Sequence, residues 1–355
     1  MKKKLLAVLM CIALVSSFMV GCQGADGGKQ KVGVAMPTKE LQRWNQDGDN
    51  MKKSLEEAGY TVDLQYANDD VATQVSQIEN MITSGCDVLV IASIDGGSLG
   101  TVLAEAKEKK IPVIAYDRLI MDTDAVSYYA TFDNYMVGTI QGKYIVDTLD
   151  LENQAGPFNI ELFTGSPDDN NARFFFGGAM DILTPYIDSG KLNVVSGQKS
   201  FEEVATPGWK TEEAQKRMEN LITAYYADGT KLDVVYSSND SCAIGITNAL
   251  VNAGYTKDNF PILTGQDCDI TSTKNIIAGI QSMSIFKDTR TLAKKVVEMV
   301  SAILSEKEVP VNDTKTYDNG TGIIPSYLCE PVFADVNNYK QLLIDSGYYT
   351  EDQLK

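Results

Sequence analysis

Short β-branched runs alternate with longer amphipathic segments along this chain, and the alternation starts afresh about midway. Strand-like runs fall at 31–36, 62–67, 88–93, 113–116 and 128–132, and again at 158–163, 192–195, 234–237, 262–264 and 281–286. Helical patterns fill the gaps. Apolar Val71, Val75, Ile78 and Ile82 recur at helical spacing over 71–84 and stop at Gly85, and a helix over 50–58 stops at Gly59. Glycine there accepts the left-handed turn that ends a helix. Strands separated by helices run parallel, because a crossover returns the chain to the same end of the sheet. The expected fold class is therefore α/β, with two Rossmann-like lobes built on parallel sheets and facing one another. At 355 residues the chain has the length for two lobes of roughly 150 residues. Each is large enough to bury a core without disulfides or metal.

The first 22 residues stand outside this pattern. Lys2, Lys3 and Lys4 precede an apolar stretch over 5–17, too short for a comfortable membrane span, and the segment ends in Met19-Val20-Gly21-Cys22. That ending resembles the lipobox of bacterial lipoproteins, in which cleavage before a cysteine is followed by its acylation; Met19 stands where leucine is usual. A signal peptide over 1–21, a lipidated Cys22 and a polar, flexible tether over 22–31 are expected. The protein would then sit on the extracytoplasmic face of the cell membrane and touch the membrane through the lipid alone.

Composition closes several other routes. Lys and Arg number 31 against 48 Asp and Glu, a net charge of −17, and no basic cluster follows Lys4, so no nucleic-acid surface is expected. The chain has no histidine, which excludes Ser-His-Asp and Cys-His nucleophile pairs and any His-ligated zinc. Beyond the signal segment, Cys86, Cys242, Cys268 and Cys329 form no CxxC pair and are expected as buried thiols. No GxxxxGK[ST] loop occurs, and the glycines of 95–100 lack the GxGxxG spacing. Neither a metal nor a cofactor is expected. Adjacent Asp168 and Asp169 raise the alternative of a secreted glycosidase. Neighbours on a loop diverge, so ligand acceptance or capping accounts for them better, and no enzyme activity is expected.

Ligands of open parallel sheets bind beyond the carboxyl ends of the strands. Those positions hold Arg43-Trp44, Asp69-Asp70, Asp95, Asp117-Arg118, Asp133-Asn134, then 168–171, Asn239-Asp240, Gln266-Asp267 and Lys287. Capping explains about half of the carboxylates and amides, with Asp133, Asp240 and one of Asn170 or Asn171 as the expected N-caps. Arg43, Arg118 and Lys287 need another reason, because cations do not cap helix N-termini. Mixed acceptors and donors suit polyol hydroxyls, which do both. A sugar ring also needs a flat apolar face, and the chain has two tryptophans. Trp209, in the loop Pro207-Gly208-Trp209, reads as a platform rather than a core residue; Trp44 stays open between the two.

Eight strings in chain order carry a resemblance to a known family. They are Arg43-Trp44, Gln77-Ile78-Glu79-Asn80-Met81, Ala115-Tyr116-Asp117-Arg118, Thr131-Phe132-Asp133-Asn134, the run 165–172, the run 186–191, Ser238-Asn239-Asp240 and Gly265-Gln266-Asp267. Together they resemble periplasmic sugar-binding proteins of ABC importers over nearly all of the mature chain. The similarity is closest to the multiple-sugar-binding and D-xylose-binding proteins, which 156–162 and 311–317 also match. The resemblance implies a type I periplasmic binding protein architecture, hinged by three strands, whose lobes close over the ligand. It implies an N-terminal lobe over 32–135, a C-terminal lobe over 136–310, and a segment over 311–355 that completes the first lobe, with hinge crossings near 135–155 and 280–330. Carried over position by position, the sugar contacts fall on Arg43, Trp44, Asp117, Arg118, Asp169, Asn171, Trp209, Asn239, Asp267 and Lys287. Cys242 and Cys268 stand where small residues are usual, which leaves their pairing open. The implied function is a monomeric receptor that captures an aldose, with xylose, glucose, galactose and arabinose all open, and hands it to an ABC permease and its ATPase. A sugar sensor docking on a signalling or chemotaxis receptor is the alternative.

Overall fold

The computed structural model describes residues 29–355; the expected signal peptide, Cys22 and most of the tether lie outside the described residues. Strands β1 (Lys31–Met36), β2 (Thr61–Tyr66), β3 (Val88–Ile91), β4 (Val113–Tyr116) and β5 (Tyr128–Phe132) run parallel in the order β2-β1-β3-β4-β5. Every residue of β3 and β4 is buried, as in sheets covered by helices on both faces. The second sheet repeats the plan with β6 (Phe158–Phe163), β7 (Leu192–Val194), β8 (Val234–Ser237) and β9 (Ile262–Leu263), ordered β7-β6-β8-β9. β10 (Met283–Phe286) lies alongside through a Gln266–Ile285 bridge. In each sheet the order reverses beside the first strand, at β1/β3 and β6/β8, and that switch point opens a crevice at the strand ends.

The last part of the chain is shared between the two lobes. β11 (Ser326–Cys329) joins the first sheet beside β5, and β12 (Val332–Asp335) pairs antiparallel with β10. The expected boundaries need correction here. Helix Thr289–Leu304 packs Leu292, Val296, Met299 and Val300 into one core with Val32, Val34 and Met51 of the first lobe, so the second lobe ends near Lys287 rather than at 310. Helix Asn134–Thr148 packs Ile145 and Val146 against Ile160 and Leu162 of the second lobe, which puts the first crossing at Asp133. The chain thus crosses at Asp133, between Phe286 and Thr289, and between Cys329 and Val332. Periodicity shows that a helix has an apolar face; it does not show which sheet covers that face.

A second correction concerns the helix expected over 50–58, which runs Gln42–Glu57. Its buried face holds Arg43, Trp44, Asp47, Gly48, Met51 and Leu55, a helical stripe half of whose members are not apolar, so hydrophobic spacing alone misses its first two turns. Gly48 is needed there because a Cβ would fall 2.0 Å from the Tyr66 hydroxyl. Helices Asn134–Thr148 and Asn170–Asp188 touch backbone to backbone at Gly138, where a Cβ would lie 1.9 Å from the Phe175 carbonyl oxygen.

Candidate ligand-binding cleft

β1 leads into the first turn of helix Gln42–Glu57, which carries Arg43 and Trp44. β4 ends at Tyr116, and Asp117 then turns left-handed with φ 58°, a conformation that aspartate tolerates better than most residues. Three hydrogen bonds pin it: the Asp117 carbonyl accepts from Tyr129 Oη at 2.6 Å, Thr131 Oγ1 at 2.9 Å and Asn171 Nδ2 at 2.6 Å. Asn171 comes from the second lobe, so this carbonyl already joins the two.

All ten residues implied by the resemblance border one cavity. Cations of the first lobe meet carboxylates of the second across it. Arg43 Nη1 donates to Asp267 Oδ1 at 2.8 Å and Nη2 to Asp117 Oδ2 at 3.0 Å, while Nε engages Asp47. Lys287 Nζ lies 3.0 Å from Asp267 and 3.9 Å from Asp117. Arg118 Nη1 donates to the Ser93 and Ile94 carbonyls at 3.1 Å each, and its Nε stands 3.0 Å from Asp169 Oδ2 with the N–H poorly aligned. The cations therefore have the partners that capping could not supply.

Burial works against charge on Asp47, Asp117, Asp169 and Asp269, and the local charges decide the outcome. Against burial, Lys287, Arg43 and Arg118 hold the Asp117 carboxyl below its ordinary range. Burial pushes Asp47 up to about 6 despite Arg43, and raises Asp169 despite Arg118. Burial also pushes Asp269 up to about 7, with Asp267 adding to the effect and Arg43 and Lys287 opposing it. Burial alone would weaken the proton affinity of Arg43, but Asp47, Asp117 and Asp267 more than reverse this, so it stays a cation.

The tryptophans combine the two roles that sequence reading set against each other. Each ring is 4% exposed and belongs to a lobe core, Trp44 with the first and Trp209 with the second, yet both border the cavity. The expectation that Trp209 is no core residue is thus corrected. Its loop folds back as the turn Pro207–Trp209, with Gly208 N donating to Ser166 Oγ at 2.7 Å. The ring lies directly over Gly165, where a Cβ would come within 1.9 Å of it. The Trp209 indole Nε1 donates to Asp169 Oδ2 at 3.1 Å, and the Arg118 guanidinium stacks over Trp44 at 5.0 Å.

Of the expected caps, Asp133 accepts from Met136 N at 2.9 Å. The other two are displaced by one or two residues. Asn239, not Asp240, caps helix Asp240–Asn252 by accepting from Cys242 N at 3.0 Å. Asp169, not Asn170 or Asn171, caps helix Asn170–Asp188 by accepting from Asn171 N at 2.9 Å. With several cap-competent residues in a row, only the point where the backbone turns helical selects one. Asp240 is instead buried and accepts from Gln281 Nε2, Ser284 Oγ and Asp269 N at 2.8–3.0 Å.

Sequence reading placed Gln266 at a strand end but left it out of the ligand contacts, and missed Asp47, Phe175 and Asp269. Asp47 had a usable signal, lying four residues beyond Arg43 on one helix face; Phe175 and Asp269 had none. Two strand-end aspartates act only locally: Asp70 accepts from Thr73 N at 2.6 Å and Asp95 from Gly97 N at 2.9 Å. Cys86, Cys242, Cys268 and Cys329 are buried free thiols, and burial pushes Cys242 up to about 12. Among the described residues, no cluster suits a metal ion and no helix is long and apolar enough to cross a membrane.

Two parallel-sheet lobes, three crossings and a polar cavity at the facing strand ends define a two-lobed binding protein of the type I periplasmic architecture. Residues 32–308 match the periplasmic binding protein domain, and the chain belongs to that extracytoplasmic family. It is 54% identical over 343 residues to the multiple sugar-binding periplasmic receptor ChvE of Rhizobium radiobacter, covering 96% of each chain. It is 39% identical to the D-xylose-binding periplasmic protein of Escherichia coli, over 97% of this chain and 98% of that one. A crystal structure of an ABC transporter solute-binding protein from Clostridium phytofermentans with bound β-D-glucose is 70% identical. It superposes with a TM-score of 0.90 and covers 92% of this chain and 100% of that chain.

Proposed function

We propose that this protein captures a neutral monosaccharide by closure of its two lobes and delivers it, as the solute-binding component, to the permease and ATPase of an ABC importer. The observation that carries the reading is the cavity itself: ten donor, acceptor and aromatic residues drawn from both lobes around one cleft. A closed form that meets the sugar from both sides binds it better than an open one, so the ligand shifts the population toward closure. Carboxylates and amides take the hydroxyl protons, guanidinium and ammonium groups bind the oxygens, and the two indoles cover the ring. The glucose-bound relative and the xylose-binding relative make D-glucose and D-xylose the first ligands to test.

Charge sets the substrate class. Arg43, Arg118 and Lys287 are matched by Asp117, Asp169 and Asp267, and Asp47 adds a further carboxyl on Arg43. No cation is left for a phosphate dianion, which would meet like charge with little water to screen it. Titration calorimetry is expected to detect neutral aldoses and no binding of glucose 6-phosphate or ribose 5-phosphate. Tighter binding of either phosphate than of every neutral pentose and hexose would overturn the monosaccharide reading.

Anchoring belongs to the same proposal and is carried by the Met19-Val20-Gly21-Cys22 run. Mass spectrometry of the membrane-bound protein is expected to find Cys22 as the acylated N-terminus. A free N-terminus at another residue would remove the anchor.

A further inference from the structure

We propose that Asp269 and Gln266 are hydroxyl acceptors on the second-lobe side of the cavity and add to its sugar specificity beyond the ten residues that the resemblance implies. The inference rests on the monosaccharide reading above.

Asp269 stands at the N-cap position of helix Ile270–Ala278, where an aspartate side chain ordinarily accepts from the first helical amides. Here it makes no such bond. Its main chain is held in place, with N donating to Asp240 Oδ2 at 2.8 Å and the carbonyl accepting from Thr273 N at 2.7 Å. Asp269 borders the cavity, and its Oδ1 is buried without a hydrogen-bond partner. Asp240, the adjacent carboxyl, is already satisfied by Gln281, Ser284 and the Asp269 amide. Arg43 and Lys287, the nearest cations, are engaged with Asp47, Asp117 and Asp267.

Gln266 shows the same condition. It is 2% exposed and borders the cavity, and its Nε2 donates to the Ser238 carbonyl at 3.3 Å. That acceptor fixes which end of the amide is nitrogen. Oε1 therefore faces away from Ser238, buried and without a partner. Two unpartnered acceptors on one lobe match a polyol, whose hydroxyls donate and accept at once. Buried acceptors that need a hydroxyl discriminate strongly against a ligand lacking it, because the analogue leaves them unpaired.

Titration calorimetry of wild-type protein and the Asp269→Leu and Gln266→Leu variants with D-glucose and its monodeoxy analogues tests this. Wild type is expected to penalise loss of particular hydroxyls by about 10-fold or more. In Asp269→Leu, glucose affinity should fall by about 10- to 100-fold, and the penalty at one hydroxyl position should vanish while the others persist. Gln266→Leu should erase the penalty at a different position. If a variant that melts as cooperatively as wild type keeps the full pattern of penalties, the assignment of that residue is wrong. Should Asp269→Leu fail to fold, Asp269→Asn decides: weaker glucose binding with a smaller penalty at a single position supports the proposal, and unchanged affinities overturn it. Failure of the wild-type protein to bind any neutral aldose would instead sink the monosaccharide reading itself.

Discussion

Replacing Arg43 with alanine is expected to abolish measurable sugar binding and to destabilise the protein by about 3–5 kcal/mol, the range for breaking a buried ion pair by removing one partner. Arg43 is 5% exposed and joins Asp47, Asp117 and Asp267. Its loss leaves three buried carboxyls with Lys287 as the cation that touches two of them. Asp47, whose carboxyl burial already pushes up to about 6, then loses its ion-pair partner and should become neutral at physiological pH. Chemical denaturation and calorimetric titration check the two effects separately. Arg43→Lys keeps the charge but cannot fork to three carboxylates, and it should recover stability better than affinity. An Arg43→Ala protein as stable as wild type would mean that this ion cluster does not hold the folded state together.

Trp209→Ala should lose on two counts. The ring contributes a cavity wall, worth about 1.5–3 kcal/mol of buried apolar contact, so affinity should drop roughly 10- to 150-fold. The same ring fills the second-lobe core over Gly165 and edge-on to Phe175, with centroids 6.2 Å apart. Removal of a buried aromatic of this size costs about 3–5 kcal/mol of stability. Trp209→Phe separates the two contributions, since it keeps most of the packing and loses the hydrogen bond to Asp169. It should melt close to wild type and still bind more weakly. A Trp209→Ala protein of wild-type stability would show that the indole is a platform and nothing more.

Nine of the ten cavity residues stand at the strand-end positions that topology brings together, and the resemblance picked them out from the other polar residues there. Once the strands are known to be parallel, every residue just past a strand end lies on one edge of its sheet, and Asp117, Asn239 and Asp267 need no tertiary knowledge to be placed there. The strands at 31–36, 113–116, 128–132, 158–163 and 234–237 were legible residue for residue, because each is a compact β-branched or aromatic run ended by polar residues. Asp47 escaped because it lies on a helix whose first turns are polar on their buried face. Asp269 escaped because an aspartate before a helix looks like a cap, and only side-chain direction shows that it is not one.

By itself, then, the sequence determined the α/β class, the parallel strands, the doubled plan and the strand-end positions that face the cleft. All of these follow from local periodicity and from the one-way geometry of parallel crossovers. The tertiary structure alone decided which cation meets which carboxylate, since Arg43 and Asp267 are 224 residues apart along the chain. It also decided which lobe takes helix Thr289–Leu304, that the tryptophans serve core and cavity together, and that Asp269 turns away from its own helix. These outcomes depend on distances between remote segments and on rotamers selected by packing, and neither is encoded in the spacing of residues along one strand or helix.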